Sequence, residues 1–142
     1  MPIDPNSLPD QEAYATPPPF EGEQVLTLED FDLRIKPTGF WLLLDLRGEE
    51  NGERASWSGN FHSAPDTPGR KQNHNISWAG FRSFLKATGM NDGDLPPCQP
   101  KAIASLLSKM INVNGDATVR VRGKVGLDSE GRFMQSSGFK AA

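Results

Sequence analysis

From Val25 onward apolar and polar positions alternate with a period of two, and the alternation breaks at recognisable turn chemistry. "VLTLEDFDLRI", residues 25–35, reads as a long first strand; "KPTG" then supplies a turn in which Pro37 presets φ and Gly39 tolerates a positive φ. In "FWLLLDLR" one face carries Phe40, Leu42, Leu44 and Leu46, and the other carries Trp41, Leu43, Asp45 and Arg47, because successive strand side chains point to opposite sides. Asn51-Gly52, within "EENGE", is the hairpin signal that pairs this second strand with a third, "RASWSGNF". A polar loop, "HSAPDTPGRKQNHN", leads into "ISWAGFRSFLKATG", where a helix is expected with Asn75 as N-cap and Gly89 as its stop. A second helix opens at Pro100, with Ile103, Leu106, Leu107 and Met110 at i, i+3, i+4 and i+7. "TVRVRGKV" and, past the turn "DSEG", "RFMQSSGF" close the chain as two more strands.

The predicted order is β-β-β-α-α-β-β: a mainly β protein with a helical insertion. Three meandering strands, inserted helices and a closing hairpin are the connectivity of the five-stranded OB-fold barrel, whose usual ligands are oligonucleotides and oligosaccharides. Other small α+β sheets share the same element count, so the order favours the barrel without requiring it.

Before Val25 the pattern is different. Residues 1–23 hold six of the twelve prolines together with Asp4, Asp10, Glu12, Glu21 and Glu23. Such a stretch buries too little apolar surface to offset its ordering entropy, and is expected to be a disordered acidic arm serving solubility or contact with another protein. Residues 24–142 are then the folded domain, within a 142-residue chain of single-domain size. No apolar run approaches the roughly 18 residues that a membrane helix needs. The start "MPIDPNSLPD" has neither the basic nor the apolar region of a signal peptide, so the expected address is the cytoplasm, that of the host if the protein is phage-encoded. Cys98 is the only cysteine, which rules out an intrachain disulfide.

Charge is segregated along the chain. Residues 1–50 carry three cations against eleven carboxylates, whereas residues 51–142 carry twelve cations against seven, so the formal net charge of −3 hides a basic C-terminal part.

Enzyme chemistry is hard to assemble from these residues. His62, His74 and Cys98 are too few and too irregularly spaced for a zinc site, and "RGKVG" lacks the phosphate-loop spacing. Asp30 and Asp32 share a strand face and could hold a cation, but a solvated edge of strand one is the better explanation. The expectation is a non-enzyme without cofactor or metal.

The ingredients for binding a single nucleic-acid strand are present: cations that track phosphates and aromatic faces on which bases stack. Arg120, Arg122 and Lys124 alternate with Val119, Val121 and Val125; Arg47 lies on the outer face of strand two, and Arg70 and Lys71 lie in the loop after strand three. Trp41 opposes the core face of strand two, where it either stacks a base or is covered by another part of the chain. Trp57 and Phe61 share a face of strand three with Ala55 and Gly59, which suits core packing or a flat ligand. Trp78, Phe81, Phe84 and Leu85 of the first helix belong to the core, and Phe133 and Phe139 remain open between the two roles.

"EDFDLRIKPTGFWLLLDLR", "WAGFRSFLKATGM" and "GRFMQSSGFKAA" together resemble a group of small phage-encoded single-stranded DNA-binding proteins with an OB-fold. The likeness rests on a K-P-T-x-G-like turn before an apolar strand, a helix ending in A-x-G and a final strand closing on G-F, matched by Lys36, Pro37, Thr38, Gly39, Ala87, Gly89, Gly138 and Phe139. It covers residues 25–142. One departure is the C-terminus "GFKAA", where replication-type binders often carry an acidic tail. The resemblance implies a sequence-tolerant single-stranded DNA-binding protein of phage replication or recombination, with replication or recombination proteins and further copies of the chain as conceivable partners. The competing reading is a non-enzymatic phage module that docks a protein or builds a structure.

Overall fold

The computed structural model describes residues 22–50, 52–112, 119–127 and 134–142. The predicted acidic arm falls almost wholly outside these residues, as do Asn51 of the hairpin signal and Phe133. The elements are β1 (Gly22–Lys36), β2 (Gly39–Gly48), β3 (Trp57–His62), α1 (Pro68–Ala87), a single 3₁₀ turn (Asp92–Asp94), α2 (Pro100–Asn112), β4 (Arg120–Leu127) and β5 (Met134–Ala141).

The sheet runs β3-β2-β1-β4-β5, each neighbouring pair antiparallel. β1 is long enough to serve two partners: Leu26–Lys36 pair with β2, while Gly22–Thr27 pair with β4. That second pairing explains why the strand starts at Gly22, ahead of the apolar alternation. A bulge between Leu28 and Asp30 keeps Leu28, Phe31 and Leu33 in phase with the inward Leu46, Leu44 and Leu42 of β2. The sheet edges meet through Ser136, whose N–H donates to Ser56 O at 3.0 Å and whose hydroxyl donates to Ala55 O at 3.0 Å, beside a parallel bridge from Ser56 to Gln135. The result is a nearly closed, OB-like barrel with a helical insertion.

Inward positions fill the barrel with Leu26, Leu42, Leu44, Leu46, Phe61 and Val121, and α1 and α2 add Phe81, Phe84, Leu85, Ile103 and Leu107. The alternation in "VRVRGKV" holds: Val121 and Val125 are buried, while Arg120, Arg122 and Lys124 are exposed.

α1 begins eight residues earlier than its apolar spacing indicates. Thr67 is the N-cap, its hydroxyl accepting from Arg70 N at 3.2 Å, and Pro68 follows at the first helical position. "GRKQN" therefore forms exposed helix, and Asn75 is an interior helical residue. The C-terminal stop is as expected: Gly89 has φ 99°, its N–H donates to Lys86 O at 3.0 Å, and Met90 N–H donates to Leu85 O at 3.3 Å, the Schellman pattern.

The insertion packs closely on β3 because the contact is made of small residues. A Cβ added at Gly59 would stand 2.8 Å from the Trp57 ring and 2.9 Å from Ser77 Cβ; one at Gly80 would stand 3.0 Å from the same ring. Ser77 uses its hydroxyl to accept from Asn60 N at 3.0 Å, and His62 N–H donates to His74 Nδ1 at 3.0 Å. His62 thus ends β3 and His74 lies in α1; together they fasten helix to strand.

Candidate functional site

The turn Pro37–Thr38 joins β1 to β2 in register, so Arg34 comes opposite Trp41. Trp41 and Leu43 are half-buried on the outer face of β2, with Asn60 and Ser58 of β3 as their partners. The Arg34 guanidinium lies over the Trp41 ring, 5.5 Å from its centroid, and Arg34 Nε also pairs with Asp32 at 3.0 Å. A groove of about 440 Å³ opens beside the ring, bordered by Trp41, Leu43, Arg54, Ser56, Ser58, Met134 and Gln135. Small hydroxyl side chains and an amide beside an aromatic wall suit a flat, polar, partly apolar group, of which a nucleobase is one.

Much of the charge on this face is paired. Asp30, Asp32 and Asp45 stand against Arg34, Arg47 and Arg54, with Asp45 Oδ1 3.3 Å from both Arg47 Nε and Arg54 Nε. Asp30 and Asp32 do share the outer face of β1, but each carboxylate is engaged locally: Asp30 accepts from Phe31 N at 2.8 Å and Asp32 pairs with Arg34.

The basic ladder of β4 occupies a different part of the barrel surface. Arg120 lies beyond Thr27 of β1 from Arg47, so Arg47, Thr27 and Arg120 form one row across three strands, about 10 Å from end to end at the usual strand spacing. Arg120 makes a two-pronged pair with Glu49, at 2.8 and 3.0 Å, and Arg122 lies 3.8 Å from Glu23. Lys124 makes no ion pair among the described residues. Arg70 and Lys71 sit in the first turn of α1, Arg70 paired with Asp66 at 2.9 Å, and neither borders the Trp41 groove.

Trp57 and Phe61 resolve as packing residues. Phe61 is 2% exposed and stacks on Phe40 at 4.7 Å, leaving no face for a ligand. Trp57 turns its ring onto α1, against Gly80 and stacked with Phe81 at 6.2 Å, so the space beside Gly59 is filled by the helix. Phe139 is buried, edge-on to Phe84. Cys98 is half-buried, which pushes its thiol above the ordinary range.

Of the predicted residues, then, only Trp41 lies in the groove, and Arg47 reaches its neighbourhood through Asp45. The sequence reading missed Arg34, Arg54, Met134 and Gln135. Arg34 was within reach: counting outward from the two-residue turn pairs 36 with 39 and therefore 34 with 41. Met134 and Gln135 were not, since they arrive only through barrel closure. No family model, curated protein or solved structure matches the chain.

Proposed function

We propose that this chain is a non-enzymatic, sequence-tolerant single-stranded DNA-binding protein acting in phage DNA replication or recombination. The observation that carries the reading is Trp41, held outward by β2 beside an open groove on the strand 2–3 face, which is where OB folds take oligonucleotides. Bases stack on Trp41 and the Arg34 plane, while Arg47, Arg120, Arg122 and Lys124 supply outward cations for phosphates. The motif resemblance to phage single-stranded DNA-binding proteins points the same way. The second reading, a protein-docking or structural module, is favoured by the carboxylates that already hold Arg120 and Arg122 and by Ile35, which is 72% exposed at the end of β1.

Gel shifts with labelled single-stranded and duplex oligonucleotides at two salt concentrations separate them. Preferential retardation of the single strand, weakened by salt, is the expected result. Equal or tighter duplex binding would refute strand selectivity, and no binding to either would leave the docking module.

A further inference from the structure

The carboxylates and guanidinium groups around Trp41 are mostly paired with one another, so a strand whose bases stack there finds its phosphate partners elsewhere on the molecule. β5 leads from that face to a second cluster of cations, where the strand meets α1. Its first residues, Met134 and Gln135, border the Trp41 groove. Its later residues Phe139 and Lys140 border a notch of about 580 Å³ against α1, whose other walls are Ala79, Arg82, Ser83, Lys86 and Ala87. The notch is held together by Phe139, buried under the helix, and by Ser83, whose hydroxyl donates to Phe139 O at 3.4 Å.

Between the two sites the outer face of β5 is open. Gln135, Ser137, Gly138 and Lys140 are all exposed, and their β4 neighbours run from small to basic: Gly126 beside Gln135, Lys124 beside Ser137, Arg122 beside Lys140. A bulge at this point, with Gly138 at φ 60°, keeps Phe139 inward while Lys140 stays in register with Arg122. From Gln135 to Lys140 the track is roughly 17 Å long at the usual rise per strand residue. Along it and around the notch lie Lys124, Arg122, Lys140, Arg82 and Lys86, against Glu23, 3.8 Å from Arg122, and Asp92, 2.7 Å from Lys86. Among the described residues five cations stand against two carboxylates, which leaves this surface net positive, whereas the charges around the aromatic groove are mostly paired with one another.

Building on the single-strand reading, we propose that DNA leaving the Trp41 groove runs along the outer face of β5, past Lys124 and Arg122, and that Arg82, Lys86 and Lys140 hold its phosphates in the notch between β5 and α1. The site is thus bipartite: bases are gripped on one flank of the barrel and the backbone on the other. The β4 ladder is a step on the route rather than its end.

The test uses fluorescent oligo-dT of two lengths, about 5 and about 15 nucleotides, within the range that OB folds cover. The full-length protein is compared with R82Q/K86Q/K140Q, with K140Q alone and with W41A, each checked for folding by circular dichroism. The bipartite site predicts that the triple variant binds the short oligonucleotide like the parent but flattens the slope of log affinity against log salt on the long one by about 2, and K140Q by about 0.7. W41A weakens both lengths. A folded triple variant with the parent's affinity and salt slope on the long strand overturns the route while leaving the Trp41 reading intact. Failure of the parent to bind either length overturns that reading and the route with it.

Discussion

Replacing Trp41 and Trp57 by alanine, one at a time, separates a ligand-facing tryptophan from a packing one. Trp41 is half-buried on an outer face, and its described ring partner is the Arg34 guanidinium at 5.5 Å. An exposed cation–π contact contributes about 0.5–1 kcal/mol, and half-burial of a large side chain contributes about 1 kcal/mol more. W41A should therefore cost about 1–2 kcal/mol of stability and leave the protein folded. Its binding loss should be larger in proportion: one lost base–aromatic stack removes about 1–3 kcal/mol, which is about 5- to 150-fold in affinity. Trp57 has the opposite profile. Its ring packs against Gly80 and stacks with Phe81, and truncation opens a gap beneath α1; a fully buried ring would cost about 3–5 kcal/mol, and the half-buried Trp57 about 2–4 kcal/mol. W57A should thus melt below W41A in a circular-dichroism thermal scan, while any W57A that remains folded in the cold should bind oligo-dT like the parent in fluorescence anisotropy. A folded W41A with undiminished affinity would refute the stacking role, and a W41A that fails to fold would place that ring among the packing residues.

Further tests address the ladder, the turn, the closure and the thiol. Changing Arg120, Arg122 and Lys124 together to Gln should leave the fold intact, because exposed ion pairs contribute about 0–1 kcal/mol each, yet flatten the salt slope of single-strand binding by about 0.7 per phosphate contact; V121D, which places a carboxylate in the core, should unfold the protein. G39A should be strongly destabilising, at or above the upper end of the ~1–3 kcal/mol that overpacking costs, since its Cβ would stand 1.8 Å from the main-chain Phe61 O; a melting temperature equal to the parent's would contradict the close β2–β3 approach. S136A should lose about 1–2 kcal/mol in urea unfolding by leaving Ala55 O without its donor at the barrel seam. Because burial raises the Cys98 thiol, less thiolate exists at a given pH, and iodoacetamide at pH near 8 should alkylate it more slowly than the same thiol in denaturant; equal rates would show that the residue is open to solvent.

Period-two alternation in "FWLLLDLR" and "TVRVRGKV" was enough to assign the inward and outward faces of β2 and β4 before any coordinates, because pleating makes side-chain direction a strictly local property. The order of strands and helices likewise anticipated the OB-like barrel. Trp41 could be singled out as outward because its neighbours at every second position already made a core face. Helix α1 was only half legible: apart from the half-buried His74 its first two turns are exposed and carry no apolar period, leaving Thr67 and Pro68 as the sole local signals of where it begins. Trp57 and Phe61 stayed ambiguous because their face alone does not say what lies across from it; only the packing of Ser77 and Gly80 onto β3 filled that space. The ladder cations were visible as outward, but their pairing with Glu49 and Glu23 depends on β1 and the β2 end arriving beside β4, contacts separated by tens of residues in the chain. The groove at Trp41 and the notch at Lys140 belong wholly to tertiary structure, since closing the barrel through Ser136 sets one end of β5 beside β2 and β3, while the packing of Phe139 beneath α1 sets the other beside the helix.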